Sequence, residues 1–140
     1  MDRSVVVEKL ESLRRCMIRI ETRRAATLDA LLTDLDLQDI LSFNLTRAVQ
    51  ISVDLAAHLV ADLDIAPPST MAESFRVLGT EGILEEDLAD RLAGAVGFRN
   101  VAVHAYQSID WAIVHAISHR HVEDLRSFAA AVTRHADLDA

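Results

Sequence analysis

Glycine and proline are nearly missing from this chain, and nothing else constrains its fold as strongly: 140 residues contain four Gly and two Pro. Hairpins and tight turns need residues that accept left-handed or pre-bent backbone, so a β-rich fold would have little to turn on. The abundant residues, Ala, Leu and Arg, are helix formers. Hydrophobic residues make up 51% and charged residues 26% of the chain, which suits a folded globule rather than a disordered segment. One domain over 1–140 is expected, long enough to bury a core without staples. The lone Cys16 leaves no intrachain disulfide and points to a reducing, cytoplasmic setting. No run approaches the ~18–20 uninterrupted apolar residues of a membrane span, and no basic start leads into a long apolar stretch.

Spacings of three and four at Val6, Leu10, Leu13, Met17 and Ile20 predict a first helix over 2–24. Arg15, Arg19 and Arg23 line its polar side. Thr33, Asp34 and Asp36 offer caps for a second, longer helix reaching about Asp64, with Leu41, Leu45, Ala48, Ile51, Leu55 and Leu59 facing inward. Gln50, Asp54 and His58 are spaced by four along it and share a face. They either meet water or form a hydrogen-bonded strip at a helix–helix or subunit contact. Pro67-Pro68 stops this helix. Ser69 or Thr70 then caps a short helix over Met71–Leu78, bracketed at its end by Gly79 and Gly82.

Glu85, Glu86 and Asp87 favour the start of a further helix, which Gly94 and Gly97 weaken while letting another backbone come close. After a break at Gln107–Asp110, a last helix is expected over Trp111–Arg134, and the tail 136–140 should fray. The expected architecture is all-α, an antiparallel four-helix bundle plus one short extra helix.

Chemistry concentrates in Arg99-Asn100-Val101-Ala102-Val103-His104-Ala105-Tyr106. An arginine can hold a phosphate through two parallel hydrogen bonds, and an imidazole can move protons near neutral pH. That pair suffices for metal-free cleavage of an RNA phosphodiester with the 2′-hydroxyl as nucleophile. On one regular helix, Arg99 and Tyr106 point nearly the same way, whereas Arg99 and His104 diverge by about 140°. Two subunits about a two-fold axis, each lending its motif to a shared cleft, would resolve the divergence. The blander possibility is a surface ion pair at Arg99, a helix-end role for His104 and a core role for Tyr106.

A net charge of −8 argues against broad coating of nucleic acid, although the cations are thirteen Arg and one Lys. His115 and His119 are four apart and could chelate a metal, with further ligands needed from elsewhere; no metal site is expected. Neither a Gly-rich phosphate loop nor a nucleophile elbow occurs.

Gly97-Phe98 followed by the Arg99–Tyr106 string resembles the signature of the HepT-like toxins, a branch of the HEPN superfamily. The likeness extends to Asn44-Leu45-Thr46-Arg47-Ala48-Val49-Gln50 with Asp54 and His58, to Pro67-Pro68, to Ser74-Phe75-Arg76-Val77-Leu78 and to Gly82-Ile83-Leu84. It implies a homodimeric helical bundle acting as a metal-independent endoribonuclease toxin, without a cofactor, on an RNA substrate. It further implies a minimal nucleotidyltransferase antitoxin as partner, which in some pairs transfers AMP to the motif tyrosine, here Tyr106. By the same resemblance Arg99 binds the scissile phosphate, His104 is general acid or base, Asn100 orients phosphate or imidazole, and Tyr106 lines the cleft. If Arg99 and Tyr106 share a face, an adenylyl phosphate on Tyr106 would pair with Arg99 itself. The alternative is a non-catalytic HEPN-like module that binds a nucleotidyltransferase or a nucleotide.

Overall fold

A computed structural model describes residues 1–138. Among these the regular structure is entirely helical. The α-helices are α1 (Arg3–Arg23), α2 (Leu28–Leu32), α3 (Leu35–Val60), α4 (Met71–Thr80), α5 (Glu86–His104), α6 (Trp111–Arg120) and α7 (Val122–His135), with one 3₁₀ turn at Tyr106–Ser108. None of the described helices is long and apolar enough to cross a membrane.

Local chemistry sets the helix starts. Asp2 accepts from the amides of Ser4 and Val5 to open α1. Thr27 caps α2, Asp34 caps α3 at 3.0 Å from the Leu37 amide, Thr70 caps α4, and Asp110 caps α6. Glu85 offers α5 no side-chain cap; Glu86 and Asp87 compensate by facing the positive end of its dipole.

α3 is the axis of the bundle. It packs on α1 along most of its length and also meets α2, α4, α5, α6 and α7. Its residues Leu41, Leu45, Ala48, Leu55, Ala56 and Leu59 are fully buried, together with Val6, Leu13 and Ile20 of α1. Phe75 of α4 meets Phe128 of α7 edge to face, centroids 5.6 Å apart and both rings without exposed surface. Burial of this apolar surface is the main stabilising term.

Several expectations from sequence need correcting. The short helix α2 was not anticipated; Thr27 starts it and Leu31 anchors it in the core. The second predicted helix ends four residues early, at Val60, and the third runs two further, to Thr80. The last predicted helix is two: it breaks at His121, where the apolar stripe skips from Ile117 to Val122 instead of stepping by three or four. Asp124, at the start of α7, holds that corner through His121 Nδ1 at 2.9 Å and Arg91 Nε of α5 at 3.1 Å.

Gly94 and Gly97 neither interrupt α5 nor admit another segment of this chain, since nothing lies within 4 Å of where their Cβ atoms would be. The close approach occurs at Gly79, where a Cβ would sit 2.8 Å from that of Ala89, so α4 and α5 cross there with no room for a side chain. Gly82, at φ 78°, makes the left-handed turn between them. Within the tail, Ala136 is buried and Arg3 donates to the Asp137 carbonyl at 2.6 Å. Residues 139–140 lie outside the described residues.

Candidate active site

Arg99 stands on the face of α5 turned toward α3, half-buried, and neutral amides hold it on two sides. Its Nε donates to Gln50 Oε1 at 3.0 Å and its Nη1 to Asn100 Oδ1 at 3.0 Å. Behind Gln50 the chain of contacts continues: Gln50 Nε2 donates to Asp54 Oδ1 at 3.0 Å, and Asp54 Oδ2 is paired with Lys9 Nζ of α1 at 3.1 Å. The carboxylate in this relay is therefore already matched by a lysine. No carboxylate among the described residues lies within ion-pairing distance of Arg99. Amides orient a guanidinium without neutralising it, so Arg99 keeps its full charge and several N–H donors for an incoming anion.

The polar row on α3 is thus a part-buried strip at a helix–helix contact rather than a solvated face. Gln50 and Asp54 join α5 to α1, while His58 Nε2 accepts from the Asp2 amide at 3.1 Å. Asn100 bonds to Arg99 and is not among the hydrogen-bond partners of a histidine in the described residues. Arg15, Arg19 and Arg23 are exposed, Arg15 lying 3.7 Å from Glu11.

His104 closes α5 as its last residue, with its ring exposed and outside the histidine hydrogen bonds and ion pairs of the described residues. Ala105 then leaves the helical region, at φ −147° and ψ 55°. Tyr106 therefore sits on the following 3₁₀ turn and not on α5. The seven-residue coincidence expected for Arg99 and Tyr106 does not arise, because the helix ends between them. Nor is Tyr106 a core residue, being 42% exposed. Its Oη donates to Asp39 Oδ1 of α3 at 2.7 Å and receives a longer contact from Ser42 Oγ at 3.4 Å, while the Trp111 ring meets it edge-on at 6.0 Å. Burial of the phenol raises its pKa above the ordinary tyrosine value, and the Asp39 carboxylate adds to that effect against the opposing Ser42 bond.

Asp39, Ser42 and Lys9 were not singled out in the sequence. Asp39 and Ser42 meet Tyr106, and Lys9 meets Asp54, across 45 to 67 positions of chain, and no short motif carries such pairings. Between the two anchor points on α3 lies exposed Phe43, with the Arg47 guanidinium 5.8 Å above its ring.

Of the histidine pair on α6, only His119 is engaged by a hydrogen bond. His119 Nε2 contacts the Ala25 carbonyl at 2.7 Å, His115 Nδ1 is buried without a partner, and the rings stand 4.7 Å apart. Among the described residues no group of three or more His, Cys, Asp or Glu is disposed to hold a metal.

An all-α bundle presenting an unneutralised arginine and an exposed histidine on one motif belongs to a known class. The chain is a member of the ribonuclease HepT-like family, whose pattern matches residues 8–132. It is similar to the mRNA nuclease HepT of Shewanella oneidensis, 30% identical over 124 residues, spanning 89% of this chain and 92% of that protein. It is also similar to the tRNA nuclease HepT of Aphanizomenon flos-aquae, 31% identical over 107 residues, 76% of this chain and 73% of that protein. Among solved structures, a tri-AMPylated Shewanella oneidensis HEPN toxin in complex with MNT antitoxin superposes with a TM-score of 0.85 at 28% identity, covering 93% of this chain and 97% of that one. A toxin–antitoxin complex with AMP-PNP gives 0.83 at 28% identity over 91% and 97%.

Proposed function

We propose that this protein is the ribonuclease toxin of a toxin–antitoxin pair, cutting RNA by attack of a 2′-hydroxyl on the adjacent phosphodiester. The observation that carries the reading is Arg99, fixed by Gln50 and Asn100 yet left without a counter-charge. A scissile phosphate docks there, and the guanidinium meets the charge that grows on its oxygens. His104 takes the proton from the 2′-hydroxyl or gives one to the 5′-oxygen as the P–O5′ bond breaks. The products are a 2′,3′-cyclic phosphate and a 5′-hydroxyl. Guanidinium and imidazole between them supply the charge and the proton transfers, so no metal ion is required. The test is purified protein on total RNA with and without chelator. Cleavage that persists in chelator and leaves those end groups supports the proposal, whereas a divalent-ion requirement or 5′-phosphate ends overturns it.

One imidazole cannot be base and acid in the same displacement, which favours a two-fold dimer offering two copies of His104 to one cleft. An apolar groove of about 450 Å³ beside the motif fits a second copy, lined by Gly94, Gly97, Phe98 and Val101 of α5 and by Ile113 and Ile117 of α6. Val101 and Ile113 are exposed there, and the two glycines are open to close approach. Val101→Glu should yield a folded monomer by light scattering with cleavage reduced at least tenfold. A monomer that cuts RNA normally would remove the dimer from the mechanism.

The antitoxin proposed is a nucleotidyltransferase that adenylylates Tyr106, which is 42% exposed as a residue and lies beyond the end of α5. The relative solved as a tri-AMPylated toxin supports the same chemistry here. The cytoplasm is the proposed site of action, consistent with the single, buried, unpaired Cys16.

A further inference from the structure

We propose that Asp39 is the base that removes the phenolic proton from Tyr106 as a nucleoside monophosphate is transferred to it. The inference rests on Tyr106 being the modified residue. Tyr106 Oη already donates to Asp39 Oδ1 at 2.7 Å, so the proton points at the carboxylate before any reaction begins. Asp39 takes part in none of the ion pairs among the described residues, which leaves its charge available to accept that proton. The need for a base is physical: a tyrosine phenol is protonated at neutral pH even at its ordinary pKa, partial burial and the neighbouring carboxylate raise that pKa further, and a protonated phenol is a weak nucleophile.

The other features of the pocket agree with attack from this position. Ser42 Oγ touches the phenol oxygen at 3.4 Å and Trp111 braces the ring edge-on, while Tyr106 as a whole stays 42% exposed. The oxygen is thus fixed on a residue that solvent reaches. In the step, the Oη–Pα bond forms and the bond from Pα to the oxygen bridging toward Pβ breaks. Pyrophosphate leaves, and the proton passes from Oη to Asp39 Oδ1. The nucleoside triphosphate is the co-reactant, delivered by the nucleotidyltransferase partner.

A carboxylate that only pins the 3₁₀ turn would make the same hydrogen bond, and substitution separates the two roles. Asp39→Asn keeps an acceptor oxygen of the same reach but cannot take a proton; Asp39→Glu keeps the carboxylate. The assay is intact-mass spectrometry of the toxin incubated with its antitoxin, ATP and Mg²⁺, giving initial rates and the KM for ATP, with melting temperature as the check on folding. Wild type should gain AMP on Tyr106, and Asp39→Asn should lose roughly a hundredfold or more in kcat at unchanged KM. Asp39→Glu should recover to within about tenfold of wild type, on the same acid–base footing. Asn modified at the wild-type rate, or Asn and Glu slowed equally, overturns the proposal. If Tyr106→Phe gains as much AMP as wild type, it is the reading of Tyr106 that has failed, a result distinct from either.

Discussion

His104→Ala should leave a folded protein whose cleavage of RNA is almost entirely lost. The loss should be roughly 10²–10⁴-fold in kcat, the usual worth of a positioned proton-transfer group. Stability should hardly change, since the ring is exposed at the last position of α5 and is outside the histidine hydrogen bonds of the described residues. Arg99→Ala should cost a similar factor for a different reason: it removes the charge that meets the phosphate. Arg99→Lys should fall between, keeping a cation but losing the planar fork that Gln50 and Asn100 hold in place. Gln50→Ala leaves both groups present but frees the guanidinium, and should reduce cleavage by about tenfold, near the worth of one charged hydrogen bond. Initial rates on a defined RNA, with melting temperatures alongside, decide the matter. Activity in His104→Ala within tenfold of wild type would take the imidazole out of the chemistry.

Phe128→Ala should be the most damaging single change to the fold. The ring is fully buried in α7 and packs edge-on against Phe75 of α4, joining the middle of the chain to its last helix. Truncation loses the transfer free energy of the ring, leaves a cavity that stiff helices cannot collapse, and strips Phe75 of its aromatic partner. The expected cost is roughly 3–5 kcal/mol, which for a domain of this size lowers Tm by roughly 10–15 °C. Phe128→Leu, which refills most of the space, should recover more than half of the loss. A calorimetric Tm within a few degrees of wild type for the alanine variant would show that this junction does not hold the bundle together.

Long helices were legible from sequence because their information is local. Val6 to Ile20 on α1 and Leu41 to Leu59 on α3 repeat at helical spacing, and Asp34, Thr70 and Asp110 are caps in the positions where structure uses them. The break at His121 was less visible because no Gly or Pro marks it; only the five-residue skip from Ile117 to Val122 does. The end of α5 after His104 is likewise made by the conformation of Ala105, an ordinary helix former, which is why Tyr106 was assigned to the wrong face. At the site, the motif residues could be read off a short string, but what orients them could not. Gln50 was seen as one of a row whose environment was undecided, and only packing of α5 on α3 turned that row toward Arg99. Asp39 carries no local signature, being one of many acidic residues near the start of a helix.

α3 also acts as a ruler. Tyr106 is tethered to it at Asp39 and Arg99 at Gln50, eleven positions apart and so roughly 16 Å along the axis. Anything grown from the phenol starts at one end of that scale, with Phe43 and Arg47 at the graduations between. If nucleotides are added to Tyr106 as proposed, how far silencing reaches toward the guanidinium would depend on how many are strung along it, which would make inhibition a question of measured length rather than of a single added charge.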